Sequence, residues 1–298
     1  MPDIASVVAQ ARAGIVRVTA DELAARLFIS QPAVTREIRD LEASLGLALF
    51  DRHPRGVTPT EGGQRLLQFA ERIFALEQAA ERDLRDLAGL GHGELILGAS
   101  ATLGAYWLPP LLNRFREQHP GVFVSLQMSN TQEVLQQLDD ALISLGFVEG
   151  PFPAEDYAHH LLARDQLLPV VGPAHPLAGR RGLYMAELQA HELYLREAGS
   201  GARASIEQAY RKHGLDARAA MIGGGTEPLK RLIAGGRGIA WLSQLVVEEE
   251  LADGRLVQLD VRDLQIERDL HVLWRLGSRL NPAPAAFLQM IDSNIKTF

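Results

Sequence analysis

The sequence predicts an α/β fold for most of the chain, preceded by a short all-α region and one long helix. Three patterns predict this arrangement. Apolar residues recur at helical spacing around a tight turn before about residue 58. A near-heptad apolar pattern then runs from Leu66 to Leu87, and strand-like and helix-like segments alternate from about residue 93 onward.

The composition is that of an ordinary globular protein. The chain has 298 residues, 47% hydrophobic and 22% charged, which predicts two or three domains. Its formal net charge of −7 argues against attraction of nucleic acid by the whole surface, although a local face can still bind phosphate. The absence of cysteine excludes disulfides and cysteine-ligated metal. We find neither a signal peptide nor an apolar run of the ~18 residues that span a membrane, so we expect a cytoplasmic protein.

Two short helices and a tight turn are predicted in the first region. Thr19 and Glu22 have the spacing of a capping box, and Ser30 is a favourable N-cap with Pro32 in the first turn. Gly46 ends the second helix. The residues predicted to face inward from that helix are Val34, Ile38, Leu41 and Leu45. Two helices and a turn within about 25 residues form a helix-turn-helix, and "FDRHPRGVTPT" has the composition of an exposed loop or β-wing.

The polar face of the second helix suits contacts with DNA bases. It carries Gln31, Thr35, Arg36 and Arg39. Gln pairs with adenine, Arg with guanine and the Thr methyl with the thymine methyl, and the start of such a helix enters the major groove. Arg52 and Arg55 in the following loop suit phosphates. An ordinary solvated face is the alternative, because four arginines between residues 30 and 58 are balanced by four acids.

The near-heptad pattern predicts one long helix that starts after Thr60, a suitable N-cap. Its apolar seam consists of Leu66, Phe69, Ile73, Leu76, Ala80, Leu84 and Leu87. Charged residues flank the seam, and the glycine-rich "AGLGHGE" follows it as a hinge. These features favour a linker helix that pairs two subunits, and packing of the helix on its own domain is the alternative.

Polar residues cluster at strand ends and helix starts in the third region, where alternation predicts a mostly parallel sheet covered by helices. The candidates are Ser100 and Thr102 after the first strand, and Thr131, Gly201, Arg203 and Thr226 at the starts of later helices. Hydroxyls and backbone N–H groups that converge on helix N-termini form an anion site, and arginine pairs with carboxylate, sulfite, sulfate or phosphate. Plain N-caps and a surface charge at Arg203 are the alternatives.

Other polar groups indicate neither catalysis nor metal binding. His159 and His160 have no further ligands at metal spacing, and glycines 223–225 lack the Lys-Ser/Thr of a phosphate loop. We find no set of nucleophile, base and acid. We therefore expect a protein that is not an enzyme and that holds no metal or other cofactor.

The stretch "SQPAVTREIRDLEASLGLALFDRHPRGVTPTEGG" resembles the N-terminal signature of the LysR-type transcriptional regulators. The similarity continues through "GELILGASATLGAYWLPPLLNRF" and "LREAGSGARASIEQA" to "GSRLNPAPAAFLQMI", and so covers roughly residues 18–298. Two segments depart from the family pattern. Val18 and Ala20 stand where Gly and Phe are usual, and Ser144 stands in place of an Asp.

The resemblance implies a fold and a set of sites. In this family Ser30, Gln31 and Pro32 open the DNA-recognition helix. The effector domain is built like a periplasmic binding protein, from two Rossmann-like subdomains with the ligand between them, and Glu149 would lie near that cleft. The implied segments are a winged helix-turn-helix domain at 1–58, a linker helix and hinge at 59–90, and an effector domain at 91–298, whose subdomains comprise about 91–163 with 269–298, and about 164–268.

Residue patterns and resemblance together predict a homo-oligomeric transcription factor. We expect it to bind double-stranded DNA and a small anionic co-inducer, and to form homodimers that associate into a dimer of dimers. A small-anion solute-binding protein and an enzyme on the same scaffold are the alternatives. The first would lack residues 19–58, and the second would need a catalytic set in its cleft.

Overall fold

A computed structural model describes residues 30–53, 56–87 and 93–295, and the chain divides into two compact units, Met1–Glu81 and Arg82–Phe298. The helices are α1 (Gln31–Leu45), α2 (Glu61–Leu87), α3 (Leu108–Gln118), α4 (Thr131–Asp139), α5 (Met185–Leu188), α6 (Gly201–Lys212), α7 (Thr226–Gly235), α8 (Gln244–Ala252) and α9 (Pro282–Ile295). The strands are β1 (Phe50–His53), β2 (Gly56–Pro59), β3 (Glu94–Ser100), β4 (Phe123–Ser129), β5 (Leu145–Glu149), β6 (Tyr157–Val171), β7 (Leu193–Arg196), β8 (Ala219–Gly223), β9 (Ala240–Ser243), β10 (Val257–Gln258) and β11 (Ile266–Arg275).

The first unit joins α1 to an antiparallel hairpin of β1 and β2. Gly46 ends α1 with a left-handed φ of 69°, as predicted. The Glu42 carboxylate then accepts hydrogen bonds from the backbone N–H groups of Leu49, at 2.8 Å, and Phe50, at 3.2 Å. These bonds fix the hairpin against the helix, which is the arrangement expected of a wing.

Two details of α1 differ from the sequence prediction. Leu45 was predicted to face inward, but it is 45% exposed, because it is the last residue of the helix and the chain turns away at Gly46. Ser30 stands at the N-cap in extended conformation, yet its side chain makes no capping hydrogen bond. Val34 is buried as predicted. The predicted capping box at Thr19 and Glu22 lies outside the described residues.

The long helix α2 begins one residue after Thr60, whose Oγ1 accepts a hydrogen bond from the Gly63 backbone N–H at 3.1 Å. The predicted cap is therefore confirmed. Its predicted seam includes side chains that face solvent: Phe69, Ile73 and Leu84 are each more than 60% exposed. An apolar stripe of this length in water is typical of a surface that a partner covers.

The second unit is built on a curled seven-stranded sheet. β3 pairs in parallel with both β4 and β5, so the carboxyl ends of these strands meet at one edge. β6 and β11 form a long antiparallel pair that continues into the second part of the unit, where β9 and β10 pair with β6 and where β7 and β8 form a separate parallel pair. The predicted parallel pairing is confirmed for β3 with β4 and β5, and for β7 with β8. The prediction of a mostly parallel sheet is wrong for the seven-stranded sheet, because its other pairings, among β5, β6, β9, β10 and β11, are antiparallel. They are antiparallel because the chain crosses between the subdomains along β6 and returns along β11.

Four clusters of buried apolar side chains stabilise this unit, and the two largest lie one in each subdomain. In the first, Phe115, Phe147 and Phe287 are fully buried, and Phe115 and Phe287 meet edge to face with ring centres 5.2 Å apart. In the second, Trp241 is 2% exposed and its Nε1 donates a hydrogen bond to the Tyr210 hydroxyl at 3.0 Å.

Candidate functional site

The polar face of α1 stands free of other described elements. Gln31, Arg36 and Arg39 are exposed, and Gln31 Nε2 donates a weak hydrogen bond to Thr35 Oγ1 at 3.3 Å. The Arg36 side chain is 82% exposed and lies 3.9 Å from the equally solvated Asp40, a pairing worth little in water. Arg52 lies in β1, where its backbone pairs with Val57, and Arg55 lies outside the described residues. The face is therefore available to an external partner.

A buried ionic cluster lies where β3, β5, β6 and β11 meet. The Arg268 side chain, only 1% exposed, donates from Nε to Asp165 Oδ2 at 2.8 Å and from Nη2 to Thr102 Oγ1 at 3.2 Å. Its Nη1 lies 3.3 Å from Glu149 Oε1. The Ser100 hydroxyl donates a short hydrogen bond to the other Glu149 oxygen. Asp165 also accepts a hydrogen bond from Ser243 Oγ at 2.9 Å.

Burial governs the electrostatics of this cluster. It raises the pKa of Glu149 above its ordinary range, while the nearby charges of Arg268 and Arg196 act in the opposite direction and only partly offset it. Arg268 alone faces the two buried carboxylates of Asp165 and Glu149. It lies closer to Asp165, at 2.8 Å, than to Glu149, at 3.3 Å, so Glu149 is the more weakly held of the two. Arg268 Nη1 shows the same imbalance, because it is buried and makes no well-aligned hydrogen bond within the described part of the chain.

The backbone around Glu149 forms close contacts between the two subdomains. Thr131 Oγ1 donates to the Glu149 carbonyl oxygen at 3.3 Å. A Cβ added to Gly201 would lie 1.8 Å from that same carbonyl oxygen, so only glycine permits the approach. The Gln132 backbone N–H donates to the Gly199 carbonyl at 3.1 Å. These contacts hold the start of α6 and the residues before it against the end of β5 and the start of α4.

A second ionic group lies at the starts of α6 and α7. Arg196 binds both Glu197 oxygens, at 2.8 and 2.7 Å, and donates from Nη1 to Thr226 Oγ1 at 2.6 Å. Arg203 turns along its own helix, with Nε 2.7 Å from Glu207 Oε1. The arginines in this group are therefore already paired with carboxylates of the chain itself.

Hydrogen bonds between Tyr106 and α7 also connect the two subdomains. Tyr106 lies in a π-helical turn, Leu103–Trp107, and its hydroxyl donates a short hydrogen bond to Glu227. Lys230 Nζ donates to the Tyr106 oxygen at 2.9 Å and lies 2.8 Å from Glu250 Oε1. Burial lowers the pKa of Lys230, but the hydrogen bonds to Glu250, Tyr106 and Glu227 outweigh it and raise the pKa above its ordinary value. Lys230 therefore stays charged and links both sides.

The structure places the predicted effector residues in two neighbouring groups. Ser100, Thr102, Thr131 and Gly201 surround the Arg268–Glu149 contact, whereas Thr226 and Arg203 belong with Arg196. Thr131 and Thr226 are the first residues of their helices, and the N-caps are Asn130 and Gly225. All four predicted hydroxyls are buried: Ser100, Thr102, Thr131 and Thr226.

Sequence reasoning missed Arg268, Asp165 and Arg196. The strand alternation of "IERDLHVLWR" contains the signal for the first, because Arg268 shares the inward face with Ile266 and Leu270. A charged residue at an inward strand position must be paired, and so marks a polar site. No comparable pattern distinguishes Arg196.

An open pocket of about 850 Å³ lies between α6 and the loop after β5. Its exposed charged residues are Arg164 and Lys212 against Glu267 and Asp269, so they balance. Among the described residues, no group of three or more histidines, acids or cysteines is arranged to hold a metal ion. None of the helices in the described ranges combines the length and the apolar character that a membrane crossing requires.

Comparison with known proteins identifies both units. Residues 8–64 match the family model described as bacterial regulatory helix-turn-helix protein, lysR family, and residues 88–295 match that of the LysR substrate binding domain. The chain belongs to the LysR family. This LysR-family protein is thus a DNA-binding transcriptional regulator with an effector-binding domain, as its sequence predicts.

Individual relatives support the same conclusion. A RuBisCO operon transcriptional regulator of Allochromatium vinosum is 31% identical over 270 residues, which are 91% of this chain and 89% of that protein. The regulatory domain of CcmR from Synechocystis PCC6803, solved in complex with 2-PG, is 29% identical with a TM-score of 0.64, covering 69% of this chain and 99% of its own. Full-length CbnR complexed with target DNA shares the fold, with 24% identity, a TM-score of 0.71 and 98% coverage of both chains.

Proposed function

We propose that this LysR-family regulator is a cytoplasmic homo-oligomer, not an enzyme, whose DNA binding responds to a small anion held between the two effector subdomains. The observation that carries the proposal is the convergence of Ser100, Thr102 and Arg268 at the carboxyl ends of the strands. Ligands of α/β folds bind at that position. The proposed segments remain 1–58 for DNA binding, 59–90 for the linker and 91–298 for the effector domain.

The DNA contacts are proposed for the first turns of α1 and the hairpin. Ser30, Gln31 and Pro32 open the helix, and Thr35, Arg36 and Arg39 continue its exposed face. Arginine and glutamine there read base edges, whereas Arg52 and Arg55 of the hairpin position the protein on phosphates. The solvation of Arg36 supports this assignment, because no described residue of the chain competes strongly for its guanidinium.

The anion is proposed to contact the hydroxyls of Ser100 and Thr102 and the donors of Arg268, with Thr131, Gly201, Arg203 and Thr226 forming the surrounding wall. Every cation in this region is already paired within the chain, so a ligand must replace internal contacts rather than fill an unoccupied pocket. The related CcmR regulatory domain was solved in complex with 2-PG, which supports a small molecule as the ligand of this domain.

Ligand binding is proposed to act on the contacts between subdomains. The Gly201–Glu149 approach and the Tyr106–Glu227 hydrogen bond join the two subdomains in the described arrangement. A ligand that fits one arrangement better shifts the population toward it, and the shift equals the difference in affinity for the two states. Through paired linker helices, this shift would change the spacing of two DNA-binding domains.

A thermal-shift screen of small anions on the full chain, followed by calorimetry of Thr102→Ala, tests the proposal. Loss of the Thr102 hydroxyl leaves a ligand oxygen unpaired in a desolvated cleft, so we expect binding to weaken by ~1–3 kcal/mol. Thr102→Ser is the matched control, because it keeps the hydroxyl. DNA affinity without ligand should not change. Full anion affinity in Thr102→Ala would place the pocket elsewhere, and loss of ligand-free DNA binding would assign Thr102 to folding.

A further inference from the structure

The charge of the buried cluster restricts which anion can enter it. Arg268 is the only cation in direct contact with Glu149 and Asp165 among the described residues, and the adjacent Arg196 is held by both oxygens of Glu197. The surroundings of the proposed site are thus already more negative than positive. A second negative charge brought close to two buried carboxylates is repelled strongly, because water does not screen it there.

Glu149 and Asp165 are not equally fixed. Asp165 is held by two hydrogen bonds of good length, from Arg268 Nε at 2.8 Å and Ser243 Oγ at 2.9 Å. Glu149 receives one short bond from Ser100 and lies 3.3 Å from an Arg268 nitrogen that makes no aligned hydrogen bond. The Glu149 carboxylate therefore occupies the two donors that an incoming anion needs, and it is the group that must yield.

The main chain of Glu149 cannot move with its carboxylate. Residue 149 is paired with Leu270 of β11, its carbonyl accepts from Thr131, and Gly201 is packed against it. Only the side chain can swing. After it has released Ser100 and Arg268, it remains beside the ligand as a hydrogen-bond acceptor in a buried site, where an unsatisfied carboxylate is costly.

We propose that Glu149 is a specificity-determining residue that admits a monoanion carrying its own hydroxyl and excludes dianions. This inference rests on the proposed effector cleft and narrows its ligand. The ligand's anionic oxygens take the donors of Ser100, Thr102 and Arg268, and its hydroxyl donates to the displaced Glu149 carboxylate. A short α-hydroxy monocarboxylate satisfies all of these groups. A phosphorylated acid or sulfate brings a second negative charge, and Arg268 alone does not offset its repulsion by the carboxylates of Glu149 and Asp165.

Matched ligands test this on the full-length protein by titration calorimetry. The probes are glycolate against acetate, lactate against propionate, and two dianionic or more highly charged anions, sulfate and 2-phosphoglycolate. We expect each hydroxy acid to bind at least about tenfold more tightly than its partner, the effect of one hydrogen bond to a charged group. The dianions should bind more weakly than the hydroxy acids. Dianions that bind wild type more tightly than the hydroxy acids, or hydroxy acids that bind no better than their partners, would overturn the proposal.

Two variants separate Glu149 from general charge effects. Glu149→Gln keeps the size of the side chain and removes its charge, so the affinity for dianions should rise at least about tenfold. Glu149→Ala removes the acceptor and should abolish the hydroxyl preference. Glu155→Gln makes the same charge change on an exposed turn and should alter neither. If Glu149→Ala does not fold, the gain in Glu149→Gln decides alone, and an unchanged dianion affinity there contradicts the proposal.

Thr102→Ala in the same titrations distinguishes this inference from the proposed effector cleft. If monoanion affinity falls in Thr102→Ala but is unchanged in both Glu149 variants, the proposed effector cleft is supported and the role of Glu149 is refuted. If monoanion affinity is unchanged in all three variants, the cleft and the role of Glu149 are both refuted. A panel in which neither wild type nor Glu149→Gln binds any probe would also refute both, because each requires a small anion in this cleft.

Discussion

The polar face of α1 and the cleft between the effector subdomains both present arginine, but in opposite states. On α1 the Arg36 side chain is 82% exposed and its nearest acid is 3.9 Å away in water. In the cleft the Arg268 side chain is 1% exposed and contacts Asp165, Glu149 and Thr102. A surface that binds a large, strongly charged polymer can leave its donors solvated, because water and counterions are released on binding.

A cleft that responds to a small molecule must hold its charges differently. Its arginines are paired with carboxylates of the chain before the ligand arrives, so the ligand competes with those carboxylates. This competition gives the site a threshold and a selectivity that an open surface lacks. The difference also predicts what mutation does: arginine removal on α1 should affect binding alone, whereas arginine removal in the cleft should affect folding.

The largest expected effect is therefore that of Arg268→Ala on stability. It leaves two buried carboxylates without their cation, and breaking a buried pair from one side costs about 3–5 kcal/mol. Denaturant unfolding of the full chain, monitored through the effector domain, measures this cost. Arg36→Ala is the matched control and should change stability by no more than about 0.5 kcal/mol. Equal stabilities of the two variants would remove the contrast between the sites.

Charge introduced into the exposed stripe of α2 should prevent self-association. Ile73 is 62% exposed and Leu84 is 66% exposed, although both are apolar. Glutamates at both positions would meet their own copies across a paired seam, so the double variant should be monomeric or insoluble. If it stays soluble, DNA affinity should fall by at least about a hundredfold, because two linked half-site contacts become one.

Light scattering with a control variant checks this second expectation. Arg65 and Glu61 form an exposed ion pair on the same helix, and Arg65→Glu changes charge without entering the predicted seam. It should keep the wild-type mass. Unaltered dimers in the Ile73→Glu, Leu84→Glu double variant would move the interface away from α2.

Arg36→Ala should relax the base preference of the regulator at a cost of about 1–3 kcal/mol for the operator over other sequences. Its side chain projects from the exposed face one turn into α1. Fluorescence anisotropy at fixed salt measures the preference. Arg211→Ala, which removes an exposed arginine of α6 instead, should bind the operator as wild type does. Equal operator affinity in Arg36→Ala and wild type would remove Arg36 from the base contacts.

The two regions also differed in how far the sequence predicted them. Local rules predicted the end of α1 and the start of α2, because a left-handed Gly46 and a capping Thr60 act within a few residues of themselves. The hydroxyls at Ser100 and Thr102 were likewise predicted from strand ends. The contact of Arg268 with Asp165 joins residues 103 positions apart, and no local pattern specifies a partner at that distance. Arg203 differs in this respect, because its partner Glu207 lies one helical turn later and that i,i+4 spacing can be read in the sequence.

The smallest expected effect is a pH dependence of stability in the effector domain. His175 is 4% exposed, and its Nδ1 accepts a hydrogen bond from the Leu177 backbone N–H at 3.2 Å. Burial lowers the pKa of His175, and the neighbouring His191, with ring centres 5.0 Å apart, lowers it further. The unfolded chain keeps the ordinary value of about 6.5 and so binds more protons in mildly acidic solution.

His175 therefore contributes its full stability above that pH, and the contribution is lost as the pH falls below it, by at most about 1.4 kcal/mol per pH unit. His175→Asn keeps an acceptor for the Leu177 N–H and cannot take up a proton, so its unfolding free energy should fall less steeply between pH 7 and 5. This pH interval includes the ordinary histidine pKa of about 6.5. His213→Asn changes an exposed histidine at the end of α6 and should keep the wild-type slope. If the unfolding free energies of wild type and His175→Asn fall equally steeply with pH, burial of the His175 ring does not control the pH dependence of stability. The buried charges of the effector domain would then differ less from the solvated charges of α1 than this comparison predicts.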